Sequence, residues 1–581
     1  MASRIQEPHL HWRPKSYPTQ TCDSHTPVNG NAARNMSLST MQTSVEDFTP
    51  GPLPKTIRAV KDSNVEYVGG RTLVICLDGT GDKFDNDNSN VVNFVACLKK
   101  DDPSQVTYYQ SGIGTYDGHG LKSGISAAVD MAVGSGLGIH IKDAYRFLMQ
   151  NYREGDKICL LGFSRGSYTV RCLAGMLHKV GLLPAHNRAQ VSFAYNFYKD
   201  DTPSGWTMSA QFKKTFCINV NVYFVGVWDC VSSVGFFPRK LPFGKSPTNS
   251  IMWFRHAMAL DEHRAKFKIC QYQHSDPAAG QNGGIGGLEE GKREMVRRKG
   301  REQAGWVRRV FGGCFGGKPT VGVRHGEEDA KSMSSDKEQE KREKDFEKAD
   351  QSAHQRVSTD VLEVWFAGCH ADVGGGAVAN GERHMLSRIP LRWMIRQCFE
   401  CNTGILFSTA ALAETGIDVP TVWPVYKQTR KPVVGPSPCT VEMYEAGDLP
   451  PLRRRSTALG VDDEQEDKKE TPHRKPSPRP LSDFDLLPEH VEDHFDAMAP
   501  INDQLEQAKG WWALEFWPVK VRVQKKDSEE WEKVVRMNMG RFRAVREVEP
   551  LMHWSVEKRI TEGDYKIRNV VDKNASWRVS F

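Results

Sequence analysis

Short apolar runs alternate with amphipathic segments through the middle of the chain. Residues 71–77, 105–110 and 157–163 carry clustered aliphatic and aromatic side chains, and each run is followed by a polar residue. Apolar runs of this length are typical of strands that are buried on both faces of a parallel sheet. Residues 139–152, in contrast, place apolar side chains at helical spacing. The pattern therefore predicts strands and helices in alternation.

The same pattern continues further along the chain. Residues 219–228 and 360–368 are two more apolar runs, which end next to Asp229 and shortly before His370. Residues 256–264 carry histidines seven positions apart with carboxylates between them, and we predict a helix that borders a cleft. Strands that alternate with helices predict an α/β fold with a mostly parallel central sheet flanked by helices.

Polar segments interrupt this folded part. Residues 1–69 are rich in Ser, Thr, Asn and Pro without sustained periodicity, so we predict a disordered tail. Residues 275–356 and 428–482 are rich in charged or Pro and Ser residues, and they predict two long disordered insertions. The remaining segments are predicted to be three parts of one domain: residues 70–274, 357–427 and 483–581.

Charge and cysteine content narrow the class of protein. The 581 residues include 78 Lys and Arg against 72 Asp and Glu, and a net charge of +6 is too small for a dedicated nucleic-acid binder. No run approaches the roughly 18 apolar residues that cross a bilayer, and the N-terminus lacks the apolar core of a secretory signal. The 13 cysteines, an odd number, are typical of reduced thiols. These features predict a cytoplasmic protein without a nucleic-acid partner.

The candidate chemistry centres on residues 162–166, Gly-Phe-Ser-Arg-Gly, which match the pattern G-x-S-x-G. An apolar strand leads into this segment and an amphipathic helix leaves it, which is the setting of a nucleophile elbow. The elbow holds its serine in a strained backbone so that the hydroxyl stands clear of the sheet. We therefore predict that Ser164 is a nucleophile and that the backbone N–H of Arg165 forms half of an oxyanion hole. The alternative is a serine that only caps the helix.

A nucleophilic serine needs a base, and the base needs a carboxylate that orients it. Asp229 and His370 each follow a predicted strand, in the order serine, acid, histidine that α/β-hydrolases use. Asp372 and Asp261 are rival candidates for the acid. The ordinary alternatives are a turn-forming aspartate at the end of a strand and a loop histidine without a function.

The turn after the first strand supplies a candidate for the second oxyanion donor. Asp78, Gly79, Thr80 and Gly81 follow the strand directly, and the N–H of Gly79 or Thr80 could face the oxyanion. An equally favoured alternative is a tight turn in which Asp78 accepts a hydrogen bond from its own backbone.

These motifs resemble those of the DUF2235 family, the catalytic domain shared with the phospholipase effectors of bacterial type VI secretion. Six segments recur in the family's order: residues 78–80, 109–115, 162–166, 227–231, 257–267 and 368–376. The resemblance implies an α/β-hydrolase fold with a Ser-Asp-His triad, whose positions match Ser164, Asp229 and His370. It also implies a phospholipase-like activity, since the bacterial members cleave phospholipid acyl esters.

We therefore expect a serine hydrolase that cleaves carboxylic esters, with an ester or a phospholipid as substrate and with no cofactor or metal required. Two alternatives remain open: a small-molecule esterase with the same fold, and a non-catalytic scaffold that binds partners or membrane. Residues 305–311 are basic and aromatic and lie next to Cys314, an acylation candidate. They predict peripheral membrane contact through the first insertion.

Overall fold

The computed structural model describes residues 52–112, 136–231, 241–244, 250–272, 336–354, 359–432, 434–461, 480–525 and 531–581. The strands are, in chain order, β1 Thr56–Arg58, β2 Thr72–Leu77, β3 Gln105–Gln110, β4 Lys157–Phe163, β5 Val222–Trp228, β6 Ile251–Ala259, β7 Asp360–Phe366, β8 Leu406–Ser408, β9 Pro518–Gln524, β10 Trp531–Met537, β11 Ala544–Val545, β12 Leu551–His553, β13 Val570–Val571 and β14 Arg578–Ser580.

The α-helices lie between these strands, and within the described ranges none is long and apolar enough to cross a membrane. They are α1 Asn90–Cys97, α2 Leu137–Asn151, α3 Ser164–Val180, α4 Val191–Lys199, α5 Pro203–Phe216, α6 Asp336–His354, α7 His370–Gly374, α8 Arg388–Glu400, α9 Thr409–Glu414, α10 Pro438–Ala446, α11 Arg454–Ala458, α12 Glu489–Met498, α13 Gln504–Gln507, α14 Trp512–Glu515 and α15 Trp554–Glu562.

Eight strands form the central sheet, in the order β14-β12-β7-β6-β5-β4-β2-β3, and all neighbouring pairs are parallel. Three two-stranded pairs lie outside this sheet: β1 with β8, β9 with β10 and β11 with β13. The predicted fold class, a mostly parallel sheet flanked by helices, is confirmed. The strands predicted over 71–77, 105–110 and 157–163 correspond to β2, β3 and β4.

Helices cover both faces of the sheet, as the continuous apolar strands require. Leu73 and Ile75 of β2 pack into a core with α2, α3, α4 and α5, whereas Val74 and Cys76 pack into a second core with α1, α8 and α9. All four side chains are fully buried. A strand that is buried on both faces shows no alternation of polar and apolar residues, which explains the uninterrupted apolar run in the sequence.

The order of the strands creates a crevice at the carboxyl edge of the sheet. The chain leaves β2 through α1 on one face and adds β3 on one side, whereas it leaves β4 through α3 on the other face and adds β5 on the opposite side. The two connections therefore diverge between β2 and β4. A point where the strand order reverses in this way is where open α/β sheets bind ligands.

The helix predicted over residues 256–264 is wrong, because Ile251–Ala259 forms β6 between β5 and β7. The apolar residues of β6 point to both faces of the sheet. Phe254, Ala257 and Met258 also fit the spacing of a helix, so the periodicity of apolar residues cannot distinguish a strand from a helix here. His256 is fully buried and has a structural role. Its Nε2 accepts a hydrogen bond from the N–H of Cys230 at 3.0 Å, and its Nδ1 lies 2.7 Å from Oε1 of Glu363.

Parts of the segments predicted to be disordered have regular structure. Helix α6 lies within predicted insertion 275–356, and Phe346 places it against His178 and Phe243, with ring centroids 5.0 and 5.6 Å away. In the predicted tail, β1 pairs with β8 and buries Ile57. Segments whose average composition is polar therefore form regular structure where a few of their side chains pack against the rest of the fold.

The second predicted insertion is also partly helical, since it contains α10 and α11. Arg455 of α11 is buried and lies 3.1 Å from a carboxylate oxygen of Asp418 and 3.6 Å from one of Glu492. Tyr444 of α10 stacks on Phe495 at 4.2 Å between ring centroids. The sequence predicted that residues 453–455 are exposed to solvent, because the carboxylates that pair with Arg455 are distant along the chain and cannot be identified from the local pattern.

We predict that Gly166→Ala reduces the free energy of unfolding by about 1–3 kcal/mol, the usual cost of an extra methyl group in a packed core. A Cβ at this position would lie 2.2 Å from the carbonyl oxygen of Leu77, which belongs to the backbone of β2 and cannot turn away. Urea unfolding followed by circular dichroism measures the change. Gly381→Ala is the matched control, because its Cβ would meet no atom within 4 Å. Equal losses in the two variants would contradict the prediction.

Candidate active site

Ser164 lies at the turn between β4 and α3, where the backbone is strained. Its φ of +56° is in the left-handed region, which residues other than glycine rarely adopt. The close approach of the chain at Gly162 and Gly166 makes this turn feasible, since a Cβ at Gly162 would lie 2.8 Å from backbone atoms of Gly166. The turn directs the Ser164 side chain into the crevice at the edge of the sheet, where Ser164 is one of the lining residues.

The structure brings Ser164, His370 and Asp229 together, although 206 positions separate Ser164 from His370. Nε2 of His370 lies 2.8 Å from Oγ of Ser164, and Nδ1 lies 2.5 Å from Oδ2 of Asp229. An ionised carboxylate can only accept a hydrogen bond, so Nδ1 carries the proton and Nε2 is left to accept the hydroxyl proton of Ser164. This tautomer is the one in which the imidazole can act as a base toward Ser164.

Two aromatic rings enclose the imidazole of His370. The ring of Phe163 lies 4.7 Å from it between centroids, and the edge of Phe267 packs against it at 4.8 Å. Burial among these rings lowers the pKa of His370 below its ordinary value, although the hydrogen bond and the charge of Asp229 oppose the change. The imidazole is therefore neutral at neutral pH.

Asp229 is fully buried, and its carboxylate is compensated by Arg543. Nη1 of Arg543 donates to Oδ1 at 2.6 Å and Nη2 donates to Oδ2 at 2.8 Å, while the N–H of Ala259 also donates to Oδ1 at 2.9 Å. Burial alone would raise the pKa of Asp229. The charge of Arg543 and the hydrogen bond from His370 outweigh burial and hold the pKa of Asp229 well below its usual range.

Arg543 itself is held by backbone carbonyl groups. Its side chain donates to the carbonyl oxygen of Ala259 at 2.9 Å and to that of Phe267 at 3.0 and 2.6 Å. Sequence reasoning missed this residue, since nothing in the local pattern around position 543 distinguishes it from the other basic residues. The connection to Asp229 spans 314 positions and exists only in the folded chain.

A second carboxylate, Glu262, supports the backbone of His370. Its Oε2 accepts a hydrogen bond from the N–H of His370 at 3.3 Å, and Arg264 binds the same carboxylate through Nε at 3.0 Å and Nη2 at 2.7 Å. Burial opposes the charge of Glu262, but Arg264 lowers its pKa to about 2. The guanidinium of Arg264 also lies over Phe267, 3.6 Å from the ring centroid. Sequence analysis did not identify either residue of this pair.

The two rival acids bind other groups. Asp372 accepts hydrogen bonds from the N–H of Cys369 at 2.8 Å and from the backbone and side chain of Asn502 at 2.9 and 2.7 Å. Asp261 accepts hydrogen bonds from the N–H of Gly368 at 2.7 Å and from the hydroxyl of Tyr565 at 2.8 Å. The hydrogen bonds therefore favour Asp229 over both rivals as the partner of His370.

Of the predicted oxyanion donors, Gly79 is engaged elsewhere. Its N–H donates to Oδ1 of Asp78 at 2.9 Å, so Asp78 accepts from its own backbone, as the alternative interpretation of this turn expected. Oδ2 of Asp78 is held by the hydroxyls of Ser89 and Tyr109, both at 2.9 Å. Thr80 and Arg165, which is the second residue of α3, both line the crevice.

The crevice is a cleft with a cavity volume of about 220 Å³. The described residues around it hold no cluster of three or more His, Cys, Asp or Glu side chains arranged to bind a metal ion. Aromatic and aliphatic side chains form one part of the wall and polar side chains form another. The lining residues are Thr80, Asp82, Phe163, Ser164, Arg165, Val231, Arg264, Lys266, Phe267, His370, Ala371, Gly375, Gly376, Gln504, Trp511 and Leu514.

A serine on a tight turn between a strand and a helix, at the carboxyl edge of a parallel sheet, is the architecture of α/β-type hydrolases. A sequence model of the family described as "T6SS, Phospholipase effector Tle1-like, catalytic domain" matches residues 71–397, and the chain belongs to this family. The result agrees with the resemblance to DUF2235. It places the protein among lipase- and phospholipase-like hydrolases.

Other comparisons give matches at low sequence identity. The uncharacterized protein YEL023C of Saccharomyces cerevisiae is 25% identical over 565 residues, which covers 84% of this chain and 79% of the relative. An uncharacterized protein from Pseudomonas aeruginosa, known from a crystal structure, is 15% identical with a TM-score of 0.29, and the match covers 77% of this chain and 62% of that one. The Tle1 effector bound to the VgrG spike of the type 6 secretion system is 17% identical with a TM-score of 0.21, over 35% and 47% of the two chains.

We predict that Arg543→Ala lowers the free energy of unfolding by about 3–5 kcal/mol at neutral pH, because it leaves a buried carboxylate without its counter-ion. In the native protein the pKa of Asp229 is depressed, so its contribution to stability is present above the ordinary pKa of about 3.9 and is lost only as the pH falls through the lower folded value. Without Arg543, burial raises this pKa, and the deficit must shrink as the pH falls and Asp229 becomes protonated.

Urea unfolding at about pH 7.5 and about pH 4.5 tests this pH dependence. Arg578→Ala is the matched control, because its ion pair with Glu549 is exposed and such pairs contribute about 0–1 kcal/mol. A deficit in Arg543→Ala that stays constant with pH would show that the ion pair with Asp229 is not its cause.

Proposed function

We propose that the protein is a serine hydrolase that cleaves the acyl esters of phospholipids. The observation that carries the proposal is the continuous hydrogen-bonded chain from Oγ of Ser164 through the imidazole of His370 to the carboxylate of Asp229. Ser164 is the nucleophile, His370 is the general acid and base, and Asp229 orients the imidazole.

The reaction proceeds in two steps. Oγ of Ser164 attacks the ester carbonyl while Nε2 of His370 takes the hydroxyl proton, and the tetrahedral intermediate places its negative charge on the former carbonyl oxygen. Collapse of this intermediate expels the alcohol, which receives the proton from His370. A water molecule, activated by the same imidazole, then hydrolyses the acyl-enzyme and restores Ser164. The N–H groups of Arg165 and Thr80 are proposed to stabilise the oxyanion, where one donor is worth about 3–4 kcal/mol.

Asp229 and Arg543 act together on the imidazole. The imidazolium that forms during attack is stabilised by the ionised carboxylate, and the carboxylate remains ionised in a buried site because Arg543 compensates its charge. Arg543 touches neither the serine nor the ester, so it is a positioning residue.

The lipid substrate is supported by the family and by the wall of the cleft. The family is described as phospholipase effectors, and Phe163, Phe267, Trp511 and Leu514 form an apolar wall beside Ser164 that suits an acyl chain. A small-molecule esterase and a non-catalytic scaffold are the alternatives. The basic segment 305–311, which predicts membrane contact, and Cys314 lie outside the described residues, and cytoplasmic residence stays a prediction.

Ser164→Ala is expected to abolish covalent labelling by a fluorophosphonate and to lower kcat/KM for phospholipid vesicles by about 10⁴–10⁶-fold, because the nucleophile is lost. His370→Ala should cause a loss of the same order. The measurements are gel fluorescence of the labelled protein and release of free fatty acid.

The matched control for this experiment is Ser192→Ala on the exposed surface of α4, which should label and hydrolyse like the native protein. Hydrolysis of short soluble esters without hydrolysis of vesicles would favour the small-molecule esterase. A folded native protein that neither labels nor hydrolyses any ester would favour the scaffold.

The pH dependence of kcat/KM should show an acid limb with a midpoint below about 6.5, the ordinary pKa of histidine. Burial lowers the pKa of His370, and only the neutral imidazole can accept the serine proton, so activity is lost as the pH falls through this lowered value. Initial rates on two soluble esters with different leaving groups measure it. The two esters should give the same midpoint, and a midpoint at or above 6.5 would contradict the assignment of His370.

A further inference from the structure

Arg165 is a buried charged residue in the lining of the cleft. The residue is 7% exposed and lines the cleft beside Ser164. Among the described residues, no side chain or backbone group accepts a hydrogen bond from Nη1. The hydroxyl of Thr80, another residue that lines this cleft, is likewise buried without a hydrogen-bond partner among the described residues. Within the described ranges, two polar groups without a hydrogen-bond partner therefore belong to residues that line the cleft together with Ser164.

This arrangement is costly unless a ligand completes it. Burying a charged group without a partner costs several kcal/mol, and buried polar groups in folded proteins are almost always hydrogen-bonded. Burial lowers the pKa of Arg165 to about 10, with the charge of Asp82 opposing the change, so the guanidinium is still charged at neutral pH. A guanidinium presents a planar fork of donors that fits the oxygens of a phosphate.

We infer that the guanidinium of Arg165 and the hydroxyl of Thr80 bind the phosphodiester of the lipid head group. The inference rests on the proposed function, because Arg165 lines the same cleft as the proposed nucleophile Ser164. In a glycerophospholipid the phosphate and the acyl esters share one glycerol, so they are separated by only a few bonds. In a neutral acylglycerol this group is absent, and Arg165 is left unpaired.

The other charged groups of the cleft are consistent with an anion at this position. Asp82 also lines the cleft, but burial and the neighbouring Asp78 and Asp85 raise its pKa well above the ordinary value, with Arg165 opposing. This shift disfavours the ionised form of Asp82, which is the form that would repel an anion. Two further cations line the cleft, Arg264 and Lys266. Arg264 is already paired with Glu262, whereas Nη1 of Arg165 has no hydrogen-bond partner among the described residues.

Equilibrium binding in the Ser164→Ala background tests the inference independently of turnover. The ligands are dihexanoylphosphatidylcholine and dihexanoylglycerol, which share their acyl chains and differ in the phosphodiester, and affinity is measured by titration calorimetry. Arg165→Gln should lower the ratio of the two association constants, phospholipid over diacylglycerol, by at least about tenfold, as expected for loss of a charge-assisted hydrogen bond. Arg165→Lys keeps the charge without the planar fork, and it should give an intermediate ratio.

Arg146→Gln is the matched control, since this arginine lies on α2 and pairs with Asp143 at the surface. An unchanged ratio in Arg165→Gln, or an equal loss for both ligands, would overturn the inference. If that variant does not fold, the ratio in Arg165→Lys decides. Glycerophosphocholine, which lacks acyl chains, should bind far more weakly, and binding as tight as that of the lipid would overturn the assignment to a lipid head group. A native protein without esterase activity would instead refute the proposed function, while the binding ratio would still decide the role of Arg165.

Discussion

A buried negative charge is the constraint on which the site depends. In the proposed mechanism Asp229 has to stay ionised, because its carboxylate accepts a hydrogen bond from Nδ1 of His370 and so leaves Nε2 free to accept the proton of Ser164. Burial opposes this charge, and a lone buried carboxylate would take up a proton. Arg543 supplies the opposite charge in a two-pronged contact. The match to the family ends at residue 397, so Arg543 lies outside the matched region that contains Ser164, Asp229 and His370.

The parallel sheet explains how distant residues reach one another. The turns after β2, β4, β5 and β7 all lie at the carboxyl edge, and these turns contribute Thr80, Ser164, Asp229 and His370. The connections from β2 and β4 leave toward opposite faces, which opens the crevice between them. Backbone strain at Ser164 and Asp229, whose φ angles are +56° and +38°, occurs at this same edge. Such strain persists only where the surrounding packing enforces it.

The central strands could be predicted from the sequence, as could the location of Ser164, Asp229 and His370 after such strands. Both predictions use local signals, namely an apolar run and the chemically distinctive residue that follows it. The sequence was insufficient where the deciding partner is distant. Arg543 is one of 78 basic residues, and only the fold places it against Asp229. The prediction of a helix over 256–264 was wrong, because a strand that is buried on both faces lacks the alternation of polar and apolar residues by which a strand is recognised. Helix α6 lies in a segment of polar composition, and the contacts of Phe346 with His178 and Phe243 are invisible in that composition.

The charged side chains on the two sides of the cleft differ in how they are paired. On the side of His370, two guanidinium groups are each bound to a carboxylate: Arg543 to Asp229, and Arg264 to Glu262. These pairs fix the backbone and the tautomer of the histidine, and they leave little charge for a ligand. On the side of α3, Arg165 is buried with an unsatisfied Nη1 among the residues that the structure describes. In the proposed phospholipid complex, the reacting carbonyl lies near the paired charges and the phosphodiester lies near Arg165. Burial lowers the pKa of His370 and so keeps the base neutral before attack, whereas in the proposed complex the charge of Arg165 orients the anionic head group.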